Sequence, residues 1–144
     1  MKRRRQIGTT DDAIARAEAG LKRTLPSDFR KWLLAHNGTG IGYVHIYPVM
    51  DDRDPRMTWE SIVHNYENSW RGWLANFDMD KSNWDHLLPF ADFGSGDCYC
   101  FDYSGEDNSA TRVVLWSHET GETEYRADDF TDFCMRVSGG EIAD

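Results

Sequence analysis

Four groups of residues in this chain have the chemistry for a functional site. Cys98 and Cys100, with His64, His86 and His118, are competent metal ligands. Structural zinc sites, however, use Cys-x-x-Cys or His-x-x-x-His blocks, and Cys98-x-Cys100 has neither spacing. On a strand the two thiols share one face, where buried cysteines behave as small hydrophobes, so they are expected to pack in a core and hold no metal. Ser95 with His86 or His118 would pair a nucleophile with a base. The segment Gly94-Ser95-Gly96 is no Gly-x-Ser-x-Gly elbow, though, and reads as a turn. Phosphate-binding and dinucleotide-binding glycine loops are absent, so no cofactor is expected. The carboxylate pairs Asp97/Asp102 and Glu122/Glu124 would need to face each other about 5 to 10 Å apart across a sugar cleft to act as a glycosidase does. Nothing in so short a chain signals that cleft. Asp97 is expected to bond its own backbone in a turn, and Asp102 to end a strand. No catalytic residue is assigned, and the protein is read as a non-enzyme, with a small hydrolase as the weakest alternative.

The fourth group is aromatic. Trp70, Trp73 and Trp84 invite a stacking platform, but single-stranded nucleic acid would require basic residues among them. The net charge is −9 and the sequence pI about 4.9, which exclude nucleic acid and an anionic membrane surface as main partners and favour a basic one. Periodicity assigns Trp32, Trp59, Trp116 and Tyr66 to a core. Trp73 and Trp84 have no place in any period; they are either packing residues or interface anchors. The acidity is segregated: residues 1–31 carry a net +5 and residues 32–144 a net −14. Asp51, Asp52 and Asp54, then Glu106 and Asp107, then Glu119, Glu122 and Glu124 fall in expected loops or strand ends, where partner contacts concentrate. Singly each reads as solubilising surface. Together with Trp73 and Trp84 they form the candidate partner-binding set.

The elements that must position these residues follow from period and capping. Residues 1–9 show no periodicity and read as a flexible arm, 10–140 as one domain and 141–144 as a tail. Thr10 caps a first helix with Asp11 and Asp12 near its positive end and Ile14, Ala17 and Leu21 along one side. Leu25-Pro26 separates it from a second helix carrying Phe29, Trp32 and Leu33, which Asn37-Gly38 should stop in the left-handed conformation. Ile41 to Val49 reads as a strand with Val44 and Ile46 on one side and Tyr43, His45 and Tyr47 on the other. Thr58 is expected to cap the next helix, since Trp59, Ile62, Val63, Tyr66 and Trp70 recur with helical spacing. Residues 71–86 read as loop or irregular helix. Leu87 to Phe93 and Cys98 to Tyr103 form a hairpin around Gly94-Ser95-Gly96-Asp97. Arg112 to Trp116 and Glu122 to Arg126 form another around Glu119-Thr120-Gly121. Asp128 or Asp129 caps a final helix with Phe130, Phe133, Cys134 and Val137. The order is ααβα, a β-meander, then α: an α+β fold with a mainly antiparallel sheet and helices packed against it.

The stretch Met1-Lys2-Arg3-Arg4-Arg5 is followed by polar residues and no apolar run, so no export signal is expected. No apolar stretch reaches the ~18 residues a membrane helix needs. Three cysteines make no disulfide framework, which fits a reducing, cytoplasmic setting.

Several of these segments together resemble the SUKH superfamily, which includes a fungal cell-wall synthesis regulator. Gly20-Leu21, then Leu25-Pro26-Ser27-Asp28-Phe29, then Asn37-Gly38 resemble its opening pattern. Leu88-Pro89-Phe90-Ala91, Gly96-Asp97 leading to Phe101-Asp102, Val114-Leu115-Trp116 and Asp129-Phe130-Thr131-Asp132-Phe133 resemble the remainder, in family order from about residue 13 to residue 135. Residues 50–86 are the least similar. The resemblance implies a compact α+β immunity protein that neutralises a cognate toxin domain, often a nuclease, by stoichiometric occlusion in bacterial competition. It implies no catalytic residue. The alternative it leaves open is a regulatory scaffold like the fungal member.

Overall fold

The computed structural model describes residues 8–105 and 112–140. Helix α1, Asp11–Leu21, begins where Thr10 turns extended and its hydroxyl accepts the Ala13 N–H. Ala13, Ile14, Ala17 and Leu21 are its buried stripe, and Lys22 ends it in the left-handed region at φ 60°. Pro26, fixed near helical φ and needing no donor, leads directly into α2, Ser27–His36, which buries Phe29 and Leu33. Gly38 takes the left-handed conformation at φ 92°, as Asn37-Gly38 implies. Asn37 itself stays at φ −56° and turns inward, its side-chain amide bonding both the N–H and the C=O of Val49.

The sheet has the strand order β1-β2-β3-β4-β5, every neighbour antiparallel. Its strands are β1 His45–Ile46, β2 Leu87–Asp92, β3 Cys98–Asp102, β4 Arg112–Trp116 and β5 Thr123–Ala127. Both hairpins form at the expected places. Gly94 and Gly96 adopt φ 93° and 101° in the β2–β3 turn, and Gly121 adopts φ 76° in the β4–β5 turn. Strand β3 is buried along its whole length because helices cover both faces of the sheet. On one face Phe90, Tyr99, Phe101 and Val113 meet α1, α2 and the final helix α6, Phe130–Ser138; Phe90 and Phe101 stack at 4.0 Å. On the other face Cys98, Cys100, Val114 and Trp116 meet Trp70, Leu74 and Trp84. The two cysteines therefore share a buried face, as their spacing requires. Asp129 caps α6 by accepting the Asp132 N–H.

Three expectations need correction. The strand anticipated from Ile41 to Val49 shrinks to two residues, because Ile41 and Val44 exchange backbone hydrogen bonds around Gly42 and close a tight turn. Val44 and Ile46 point inward and Tyr43 and His45 outward, but Tyr47 is buried, its hydroxyl spent on Asp92. Thr58 does not cap the long helix. Its hydroxyl donates to the Asp54 carbonyl and accepts the Asp51 N–H, ending a short helix α3, Pro55–Thr58. Ser61 provides the cap instead, and Trp59 is left 53% exposed rather than in the core. From Ser61 the chain runs through α4, Ile62–His64, a π-helical turn, Asn65–Trp70, and α5, Arg71–Leu74. Ile62 belongs to the first core and Trp70 to the second, so this helix crosses from one to the other. The third correction concerns only the last two residues of the arm, since residues 1–7 lie outside the described residues. Gly8 and Thr9 are buried against α2, where the Thr9 N–H bonds the Leu34 carbonyl and a Cβ at Gly8 would meet that oxygen at 1.9 Å.

Candidate functional site

Residues 71–86, which show no clear period, are held in place by long-range contacts. After α5, residues 75–80 lead into a 3-10 turn, Lys81–Trp84, capped by Asp80. Trp84 is only 4% exposed, and its indole Nε1 donates to the Gly121 carbonyl at 2.9 Å. The Phe77 ring lies 5.4 Å from Trp84 and 5.9 Å from Trp116. Gly121 makes this approach possible, for a Cβ there would sit 3.0 Å from Trp84 and 3.3 Å from Phe77. Loop 75–85 is thereby fastened onto the β4–β5 turn. Trp84 lies beneath that junction, so it cannot serve as an exposed anchor.

The junction gathers charge of one sign. Asp78, Asp80 and Asp85 from the loop and Glu119, Glu122 and Glu124 from the hairpin are all exposed. Across residues 75–86 and 117–124 the sequence sets these six carboxylates against a single Lys, Lys81. Glu124 forms an ion pair with Arg126 at 3.0 Å, leaving the other carboxylates to make the field. Met79, 54% exposed, lies in the same loop. Half-buried Trp73 borders this face, its ring 4.9 Å from that of His118, next to Glu119. Asp78, Asp80, Asp85 and Met79 escape sequence reasoning; the only clue is an acidic run flanked by two aperiodic aromatics, Phe77 and Trp84.

The remaining carboxylates do different work. Asp51 is 4% exposed and accepts hydrogen bonds from the Thr9 hydroxyl at 2.8 Å and from Arg53 Nε at 3.0 Å. It also accepts the Arg53 N–H and ion-pairs with the guanidinium at 2.7 Å. Those Arg53 bonds hold its carboxyl well below the usual carboxylate range, against the opposing effect of burial. Asp51 is thus an internal tie rather than a surface contact. Asp54 caps α3 through the Met57 N–H, and Asp52 is exposed. Glu106 and Asp107 lie outside the described residues.

The groups suspected of catalysis are engaged with one another or enclosed. Asp97 does not bond its own backbone: its Oδ1 accepts the His118 N–H at 2.9 Å and lies 2.6 Å from His118 Nδ1. Ser95 Oγ accepts the Asp97 N–H. Asp102 ends β3; burial raises its pKa, but bonds from Ser104 and Arg112 outweigh that and leave it lowered. Burial raises the Cys100 thiol well above its ordinary value. Among the described residues no group of three or more His, Cys, Asp or Glu is placed to hold a metal, and no helix is long and apolar enough to cross a membrane.

The architecture and this chain's motifs find their counterpart in one family. The model of the SMI1 / KNR4 family (SUKH-1) matches residues 8–136. The chain belongs to the SMI1 / KNR4 family (SUKH-1). A crystal structure of a protein from Pseudomonas syringae pv. tomato shares the fold with a TM-score of 0.59, at 19% identity over 90% of this chain and 82% of that one. No curated protein matches the chain. The SUKH-1 assignment begins at Gly8, the first described residue, which packs against α2, and ends within α6.

Proposed function

We propose that this SUKH-1 protein is an immunity protein that binds a cognate toxin domain and neutralises it by occlusion. The observation that carries the reading, beyond family membership, is the acidic junction of loop 75–85 with the β4–β5 turn. Both segments are locked in place by Trp84, Phe77 and Gly121, so the carboxylates form a fixed surface rather than a mobile tail. A fixed field of one sign steers a cationic partner, raising association above the neutral range of about 10⁵ to 10⁶ M⁻¹s⁻¹. A toxin that acts on nucleic acid carries the basic surface such a field attracts. Covering it requires no chemistry from the inhibitor, only an interface of roughly 1,200 to 2,000 Å².

Stopped-flow association with a toxin domain captured on the full chain from the native cell tests the reading. The expected result is a rate that falls steeply as salt rises, with Asp78→Asn/Glu119→Gln/Glu122→Gln flattening that dependence. Absence of association, or a rate indifferent to salt and to the three substitutions, contradicts it.

A further inference from the structure

A cavity of about 270 Å³ opens between the π-helical turn and the β2–β3 turn, apart from the acidic loop itself. Its walls include Tyr47, Trp70 and Trp73, with Asp92 and the glycines Gly94 and Gly96. It is smaller than the ~300 to 1,000 Å³ typical of small-molecule sites and suits a single side chain.

Asp92 is the unusual feature. It is half-buried, and among the described residues no Lys, Arg or His forms an ion pair with it. Among the described residues its one side-chain hydrogen bond comes from the Tyr47 hydroxyl, which donates to Oδ2 at 2.6 Å. Burial, and next the Asp92 charge, raise the Tyr47 phenol far above its ordinary value, so Tyr47 remains a neutral donor and cannot balance the carboxylate. A partly desolvated charge walled by aromatic rings is stabilised most by a cation placed among them.

The walls are braced in advance. Gly96, at φ 101°, leaves room for the His118 ring, which a Cβ would meet at 3.0 Å. Asp97 holds that ring, and Trp73 packs on it. The π-helical turn supplies Asn65, Ser69 and Trp70 to the same cavity. Such bracing lowers the ordering cost of binding. Trp73 and His118 also make the cavity continuous with the acidic face.

We infer that this cavity is an aromatic and carboxylate cage that receives an arginine side chain of the protein partner. A guanidinium suits it better than an ammonium because its plane stacks on indole and phenol rings while its fork reaches a carboxylate. The inference deepens the immunity reading by naming one contact within it, and it rests on that reading for the partner being a toxin.

The test uses the full chain and N-acetyl-arginine N-methylamide, with the lysine and norleucine analogues as comparators. Indole Nε1 signals of Trp70 and Trp73 are followed by ¹H–¹⁵N NMR. The arginine probe should shift them saturably on the order of millimolar, as a single buried cation contact allows, and the neutral norleucine probe should not. Asp92→Asn, which retains an acceptor for Tyr47, should weaken the arginine probe about tenfold. Ser69→Trp, filling the cavity from an exposed rim position, should abolish the shifts, and serves if Asp92→Asn proves poorly folded. Equal response to norleucine, no saturable shift, or unchanged affinity in a folded variant overturns the cage. Toxin binding without probe binding refutes the cage alone; probe binding without toxin binding refutes the immunity reading alone.

Discussion

Replacing Asp51 by Asn separates a structural carboxylate from a surface one. The side chain accepts bonds from Thr9 Oγ1, Arg53 N and Arg53 Nε, and pairs with the guanidinium at 2.7 Å. Asn keeps one acceptor but turns the other oxygen into a donor that faces donors. Hydrogen bonds to charged groups contribute about 1.5 to 3 kcal/mol each. The Arg53 side chain is 54% exposed, so water recovers part of that loss. The net cost should be about 2 to 3 kcal/mol. At roughly 3 °C per kcal/mol for a domain of this size, Tm should fall by roughly 6 to 9 °C. Asp52→Asn, at an exposed neighbour, should stay within about 0.5 kcal/mol of the parent. The pH dependence carries its own sign. Because the folded carboxyl titrates below its unfolded value of about 3.9, its stabilisation is complete above that pH and is lost as pH falls through the folded value. The Tm gap between parent and Asp51→Asn should therefore be constant near neutrality and shrink as pH drops below about 4. Thermal denaturation followed by circular dichroism at several pH values measures both. A drop below about 2 °C, or a gap unchanged down to about pH 3, refutes the role given to Asp51.

Two further substitutions and a labelling experiment probe the scaffold. Gly121→Ala combines a residue at φ 76° with a Cβ 3.0 Å from Trp84, so it should destabilise by about 1 to 3 kcal/mol and red-shift or broaden tryptophan emission. Gly8→Ala should cost at least as much by the same measure of stability, since its Cβ meets the Leu34 carbonyl, and no loss would show that residues 8–9 are not packed. Cys134 is half-buried and its thiol is pushed up to about 12 by burial, then by Asp28 and Asp129. Iodoacetamide at pH 8 should label it far more slowly than a free cysteine, and labelling at the free rate would contradict that environment.

Local chemistry was legible in the sequence where the partners are near one another in the chain. Thr10, Asp129 and the Gly94–Gly96 turn act on backbone groups a few residues away, and all three appear where expected. The start of the long helix was misread because Thr58 is committed to Asp51 and Asp54, which leaves Ser61 as the cap. Alternation in Ile41–Val49 put Val44 and Ile46 on one side together but could not register that Gly42 closes a turn there. The candidate site was least legible. Its carboxylates come from segments that meet only through Trp84, Phe77 and Gly121, and an aperiodic tryptophan suggests exposure when it is in fact the fastener. Asp51 looked like its acidic neighbours because burial has no signature in a run of aspartates.

Neutralisation is proposed to come from binding through the acidic face. Titrating the captured toxin domain with this protein, and scoring toxin activity, is the decisive measurement. Activity should be lost with an endpoint at one inhibitor per toxin, and the endpoint should move to higher inhibitor concentration for Asp78→Asn/Glu119→Gln/Glu122→Gln. Toxin activity undiminished by excess protein, or inhibition identical in the folded triple variant, would contradict it.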